Sequence, residues 1–296
     1  MIRIGTRKSE LAQWQAKFVQ DKLKALGYKA ELVLIESYGD ANLKQPLYDL
    51  GVVGVFTKSL DIALLNNDID IAVHSMKDVP VKLPKGLVQF AVPERGVVED
   101  VFVDNQKNTK IIATSSLRRR SQWLSRNSDY VIEDLRGNVN TRMRKVNDSN
   151  WEGAIFAKAG LERIGLLPAN HRVLDWMIPA PAQGALLIAG REEDYELKEK
   201  IAALNHEATD LCVTIERRIL QLLEGGCTAP IAANAVVNDQ GQVAVKAGVY
   251  SLDGSDVIEL DEVYVKRDAE SIAQQVFDEL VNQGAKEVIK AFKARG

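Results

Sequence analysis

Ile2-Arg3-Ile4-Gly5-Thr6-Arg7-Lys8-Ser9-Glu10 opens the chain. Ile2 to Gly5 reads as a short buried strand, and Ser9 suits the N-cap of a helix beginning at Glu10. Leu11, Trp14, Phe18, Leu23 and Leu26 give that helix an apolar face, and Gly27 stops it. Strand, turn and helix in this order define an α/β unit. They also set Arg7 and the free amides of a helix N-terminus at a strand's carboxyl end, where an anion can be held.

The same unit recurs along the chain. Ala30 to Ile35 is a second strand. Ser37 to Val55 is glycine-punctuated and reads as a mobile flap, followed by a helix over 57–66. Ile69-Asp70-Ile71-Ala72-Val73 is a strand running into His74-Ser75-Met76-Lys77-Asp78-Val79-Pro80, which carries Ser, Lys and Asp at a strand end, the makings of an acid/base site. Ile111 to Ala113 leads into Thr114-Ser115-Ser116-Leu117-Arg118-Arg119-Arg120. Tyr130 to Leu135 leads into Arg136-Gly137-Asn138-Val139-Asn140-Thr141-Arg142. Gly153 to Ala157 leads into Lys158 and Arg163. One basic run would be a solvated surface. Several at strand carboxyl ends converge on a cleft, and arginine forks suit carboxylates or phosphates. The expected ligand is small and polyanionic.

Ile178-Pro179-Ala180-Pro181-Ala182-Gln183-Gly184-Ala185 reads as a linker returning the chain to its first domain. Glu207 to Leu223 is a helix with Cys212, Ile215, Ile219 and Leu222 on one face, so Cys212 is a core residue. His171 and His206 read as solvated or capping groups. Glu224-Gly225-Gly226-Cys227-Thr228-Ala229-Pro230 then sets a reachable thiol on a glycine loop. Beyond it, Ile231 to Val237, Val243 to Tyr250 and Val257 to Val265 are joined by short turns as an antiparallel meander, with helices from Asp268 and Ala285.

Composition bounds the function. The chain has 296 residues, 46% apolar and 27% charged, as in a globular protein of two or three domains. A net charge of -3 favours neither nucleic acid nor a membrane surface, and no apolar run has the length of a membrane span. Two cysteines and a start that runs straight into a strand point to a reducing cytoplasm without a disulfide framework. Histidines and cysteines lie singly, without metal-ligand spacing, so no metal is expected.

Ile4-Gly5-Thr6-Arg7-Lys8-Ser9, His74 to Pro80, Thr114 to Arg119, Leu135-Arg136-Gly137-Asn138-Val139, Pro181-Ala182-Gln183-Gly184 and Glu224-Gly225-Gly226-Cys227 occur in this order. Together they closely resemble the hydroxymethylbilane synthase, or porphobilinogen deaminase, family over essentially the whole chain. The resemblance implies an α/β fold of two doubly wound domains, similar to type II periplasmic binding proteins, around a cleft. A small α+β C-terminal domain with a three-stranded antiparallel sheet completes it. The expected domains are 1–96 with 184–203, 97–183, and 204–296. It implies a dipyrromethane cofactor bound by thioether to Cys227 and porphobilinogen as substrate. Four porphobilinogen molecules would be joined head to tail, ammonia lost each time, and the linear hydroxymethylbilane freed by water. The family suggests a monomer.

By the same resemblance Asp78 is the catalytic carboxylate. Cys227, Ser75, Lys77, Asp78, Thr114, Ser115, Ser116, Arg118, Arg119, Arg136 and Gly137 would contact the cofactor. Arg7, Ser9, Lys58, Arg142, Arg163 and Gln183 would contact the substrate. Val53 and Tyr38 stand where the family often has lysine and arginine, and Asn140 and Ala182 replace usual glycines. Two rivals predict otherwise. A binding protein for an acidic ligand would need neither Asp78 nor Cys227. A thiol redox enzyme would need a resolving cysteine near Cys227.

Overall fold

A computed structural model describes residues 1–36, 57–223 and 229–294. Tyr38, Val53 and the rest of the expected flap, and Cys227 with Glu224 to Thr228, lie outside the described residues. Among the described residues are two five-stranded mixed sheets and one three-stranded antiparallel sheet. The chain divides into two compact units, 1–96 with 184–210 and 97–183 with 211–296.

In the first unit β1 (Ile2–Thr6) leads into α1 (Glu10–Ala25) and β2 (Ala30–Leu34). Then come α2 (Lys58–Leu65), β3 (Ile71–Ser75), a single 3-10 turn (Met76–Asp78) and β4 (Leu87–Ala91). The sheet order is β2-β1-β3-β10-β4, where β10 is Leu186–Arg191. β1 runs parallel to β2 and β3, and β10 runs antiparallel to β3 and β4. Ser9 caps α1, its Oγ accepting from Ala12 N at 3.4 Å. The buried stripe of α1 is Ala12, Gln15, Ala16, Val19 and Leu23, rather than the Leu11, Trp14, Phe18 and Leu26 expected beside Leu23. The alanines let the helix approach the sheet closely, while Trp14 and Phe18 stack on each other at its flank, ring centroids 5.6 Å apart. Gly5 is required by the same close packing. A Cβ there would stand 2.2 Å from Ile69 Cδ1, nearer than any carbon contact allows.

The second unit repeats the scheme. β5 (Asp100–Asp104), β6 (Ile111–Ala113), β7 (Val131–Glu133), β8 (Gly153–Ala157) and β9 (His171–Val173) form a sheet of order β7-β6-β8-β5-β9. β6 is parallel to β7 and β8, and β5 is antiparallel to β8 and β9. The helices α3 (Leu117–Arg126), α4 (Val139–Asp148) and α5 (Lys158–Arg163) follow β6, β7 and β8. Both sheets thus carry an antiparallel strand in fourth place, which buried apolar runs alone do not reveal.

After α6 (Tyr195–Ala202), α7 (Glu207–Leu222) begins, with Cys212, Ile215 and Ile219 buried as expected. The expected meander follows as β11 (Ile231–Val237), β12 (Val243–Tyr250) and β13 (Val257–Tyr264). Asp268 caps α8 (Ala269–Asn282), and α9 (Ala285–Lys293) ends the described chain.

Candidate functional site

In the first unit the loop after β1, the end of β3 and the turn that follows it bring Arg7, Ser75 and Asp78 around one small cavity, of about 10 Å³. That is space for a single water-sized group. Gln15, Thr57 and His74 also line it. Ser75 Oγ accepts from Gln15 Nε2 at 2.7 Å, which holds the strand end against α1. Met76 N bonds Ala185 O, anchoring the turn that presents Lys77 and Asp78, of which Lys77 is half-buried and Asp78 exposed.

His74 is 6% exposed, and its Nε2 is buried without a hydrogen-bond partner. Burial, helped by the Arg7 guanidinium, pulls the imidazole from 6.5 down to about 4, so the ring is neutral. Asp61 of α2 is also buried, and burial raises its pKa against the pull of a Thr57 hydrogen bond. Lys58 begins α2 on the exposed side, and Ser9 is occupied in capping α1.

In the second unit the loop after β6 is tied to the loop after β7. Ser115 Oγ donates to Leu135 O at 3.0 Å and accepts from Leu135 N at 2.9 Å. Thr114 N bonds Glu133 O, and Ser116 N bonds Thr114 Oγ1. Ser116 caps α3, its Oγ 3.5 Å from Arg119 N. Gly137 sits at φ 113°, where a side chain is strained. A Cβ there would also meet Thr141 Cγ2 at 2.8 Å. Its carbonyl accepts from Arg142 Nε at 2.7 Å, so Arg136, Gly137 and Arg142 form one local cluster at the start of α4. Arg163 closes α5, and burial lowers its pKa.

Arg118 and Arg119 are buried, and both reach one carboxylate. Asp100, the fully buried first residue of β5, accepts from Arg118 Nη2 at 2.7 Å on Oδ2 and from Arg119 Nη2 at 2.7 Å on Oδ1. Gln183 Nε2 donates to Asp100 Oδ1 at 2.9 Å and to Val98 O at 2.7 Å. Burial pulls the Arg118 pKa down, Asp100 pushes it back, and neighbouring Arg119 lowers it further. Sequence reading picked out Arg118, Arg119 and Gln183 but not Asp100. The available signal was an acid opening the apolar run Val101-Phe102-Val103.

Sequence reading also passed over Glu216. This fully buried carboxylate of α7 accepts from Ala182 N at 2.6 Å and Ala235 N at 2.7 Å. It thereby joins the Pro181-Ala182-Gln183 segment to β11. Ala182 is held there at φ 61°, a left-handed conformation usual for glycine. A roomier cavity in the second unit, about 470 Å³, is lined by residues such as Arg126, Trp176, Lys246 and Glu259 and includes none of the expected site residues.

Two family models match the sequence. Porphobilinogen deaminase, dipyrromethane cofactor binding domain, matches residues 2–199, and porphobilinogen deaminase, C-terminal domain, matches 210–282. Among solved structures, the chain is similar to the methionine-binding protein MetQ at 19% identity and a TM-score of 0.42, over 69% of this chain and 89% of that one. It is similar to the probable amino-acid ABC transporter extracellular-binding protein ytmK from Bacillus subtilis at 11% identity and a TM-score of 0.41, over 71% and 91%. No helix among the described residues is long and apolar enough to cross a membrane.

Proposed function

Because the chain belongs to the porphobilinogen deaminase family, whose enzymes polymerise porphobilinogen for tetrapyrrole biosynthesis, we propose that it joins four porphobilinogen molecules head to tail on a dipyrromethane primer held by thioether at Cys227. One ammonia leaves at each addition, and water frees the linear hydroxymethylbilane. The observation that carries this reading is Asp78 at the carboxyl end of β3, lining one cavity with Arg7 and Ser75.

The donor set fits the primer. A dipyrromethane bears acetate and propionate carboxylates on each ring, and this chain offers buried or half-buried arginines at strand carboxyl ends. Arg118, Arg119 and Arg136, with Lys77, the Ser75, Thr114, Ser115 and Ser116 hydroxyls and the Gly137 backbone, would hold it. When bound, it supplies the pyrrole carbon that starts the chain. Arg7, Ser9, Lys58, Arg142, Arg163 and Gln183 would bind or orient the carboxylates of incoming porphobilinogen.

Asp78 supplies the charge chemistry. Departure of ammonia leaves a cation on the substrate pyrrole, and a carboxylate beside the pyrrole nitrogens both fixes the ring and stabilises that cation. His74 next to it is neutral and adds no opposing charge. The thiol at Cys227 acts once, to capture the primer. The protein would work as a monomer in the cytoplasm.

Intact mass spectrometry tests the reading. The purified protein should exceed its sequence mass by one dipyrrolic unit, and added porphobilinogen should give equal steps of one substrate less one ammonia. Cys227→Ser should show neither, and Cys212→Ser, a core position, should show both. A wild-type protein without the excess mass, made in a porphobilinogen-producing host, would refute it.

A further inference from the structure

The geometry points to Asp100 as the positioning residue that sets the directions of Arg118 and Arg119 for the carboxylates of the pyrrole chain, an inference that rests on the function proposed above. Asp100 gives each arginine its own oxygen. Oδ2 takes Arg118 Nη2, and Oδ1 takes Arg119 Nε at 3.1 Å as well as Nη2. Gln183 Nε2 also donates to Oδ1, so the carboxylate is held from the chain-return segment too. Backbone carbonyls fix the other edge of each fork. Arg118 Nη1 donates to Ile178 O at 2.7 Å, and Arg119 Nη1 to Ile155 O at 2.9 Å. Neither guanidinium plane can turn without breaking a buried charge-assisted bond.

The charge balance gives this arrangement a direction. Among the described residues, the ion pairs of Arg118 and Arg119 are with Asp100 alone. Two guanidiniums and one carboxylate leave a net positive charge where relative exposures are only 4%, 6% and 0%. Arg118 Nε is a buried donor with no partner. Such a surplus is costly unless an anion completes it. Without Asp100 the two arginines would repel each other and leave their fixed directions. With it they form one pre-set cation for a carboxylate, whose ordering cost is met when the protein folds. Asp100 itself would not touch the ligand, and Gln183 would act through it.

The test uses the full chain and compares wild type, Asp100→Asn, Asp100→Glu, Arg119→Gln, and Arg119→Gln combined with Asp100→Asn. Readouts are primer occupancy by intact mass, KM and kcat of the loaded fraction, and the melting temperature. Asp100→Asn should lower occupancy and raise KM by at least about tenfold, the scale of one lost charge-assisted hydrogen bond. Its kcat should stay near the wild-type value, and Asp100→Glu should recover part of the KM. If Asp100→Asn does not fold, the double variant decides, because its cluster keeps the native net charge. Its KM should exceed that of Arg119→Gln alone, because Arg118 has lost its orienting partner. A purely structural role would lower the melting temperature and leave KM unmoved, and that result overturns the inference. Equal KM in the double variant and Arg119→Gln overturns it as well. An unloaded, inactive wild-type protein would instead strike the proposed function, and this inference with it.

Discussion

Glu216→Gln is expected to weaken the fold far more than its single-atom change suggests. The two carboxylate oxygens serve different segments, Oε2 the Ala182 amide and Oε1 the Ala235 amide and Asn234 Nδ2. A glutamine can accept at only one of these positions. At the other, an NH2 group faces a backbone N–H, so one charge-assisted bond is lost and a buried donor is stranded. Together these cost about 2–4 kcal/mol. At roughly 2–4 °C per kcal/mol for a unit of this size, the melting temperature should fall by about 5–15 °C. Scanning calorimetry at neutral pH measures this directly. Glu216→Leu, which strands both amides, should lie lower still. A Glu216→Gln protein melting within about 2 °C of wild type would mean that the carboxylate is not holding these amides, and the account of Ala182 would fall with it.

Two further outcomes follow from the first unit. Native His74 resists protonation, so the unfolded chain binds the extra proton. Stability should therefore be intact above pH 6.5 and decline as pH falls from 6.5 to about 4. The loss should reach about 3 kcal/mol. Denaturant titrations across that range should show it in wild type and not in His74→Gln, and parallel curves would remove the buried neutral imidazole from the account. Asp78 is exposed, so Asp78→Asn should melt like wild type, keep its added mass, and elongate the pyrrole chain at least about a hundredfold more slowly. Elongation at the wild-type rate would deny Asp78 its role beside the cation.

Much of the fold was legible because its signals are local. Short turns announce β11 to β13, Ser9 marks the helix it caps, and a further helix is legible from Asp268. What was missed depends on distance along the chain. The stripe of α1 follows from which residues are small enough to meet a sheet, and that sheet is assembled from strands as far apart as Ile2 and Arg191. At the site, arginines at strand ends stood out by type and place. Their pairing did not, because no local pattern links Asp100 to Arg118 and Arg119, 18 and 19 positions on, or to Gln183, 83 positions on, just as none links Glu216 to Ala182 across 34. A buried carboxylate in a run of valines looks like an interruption until its partners are known.

The position of β10 bears on the order in which the chain is made. β3 and β4 do not pair with each other, since β10 lies between them and bonds to both. As the protein leaves the ribosome, β1 to β4 emerge first yet lack the strand that unites them. The sheet of β5 to β9, synthesised later, has every member present by Val173 and can close before Leu186 is made. Until then β3 and β4 each carry an open apolar edge, the kind that captures other chains. A nascent chain stalled before Leu186 would therefore be a client for a chaperone, because β3 and β4 would still lack the strand that joins them.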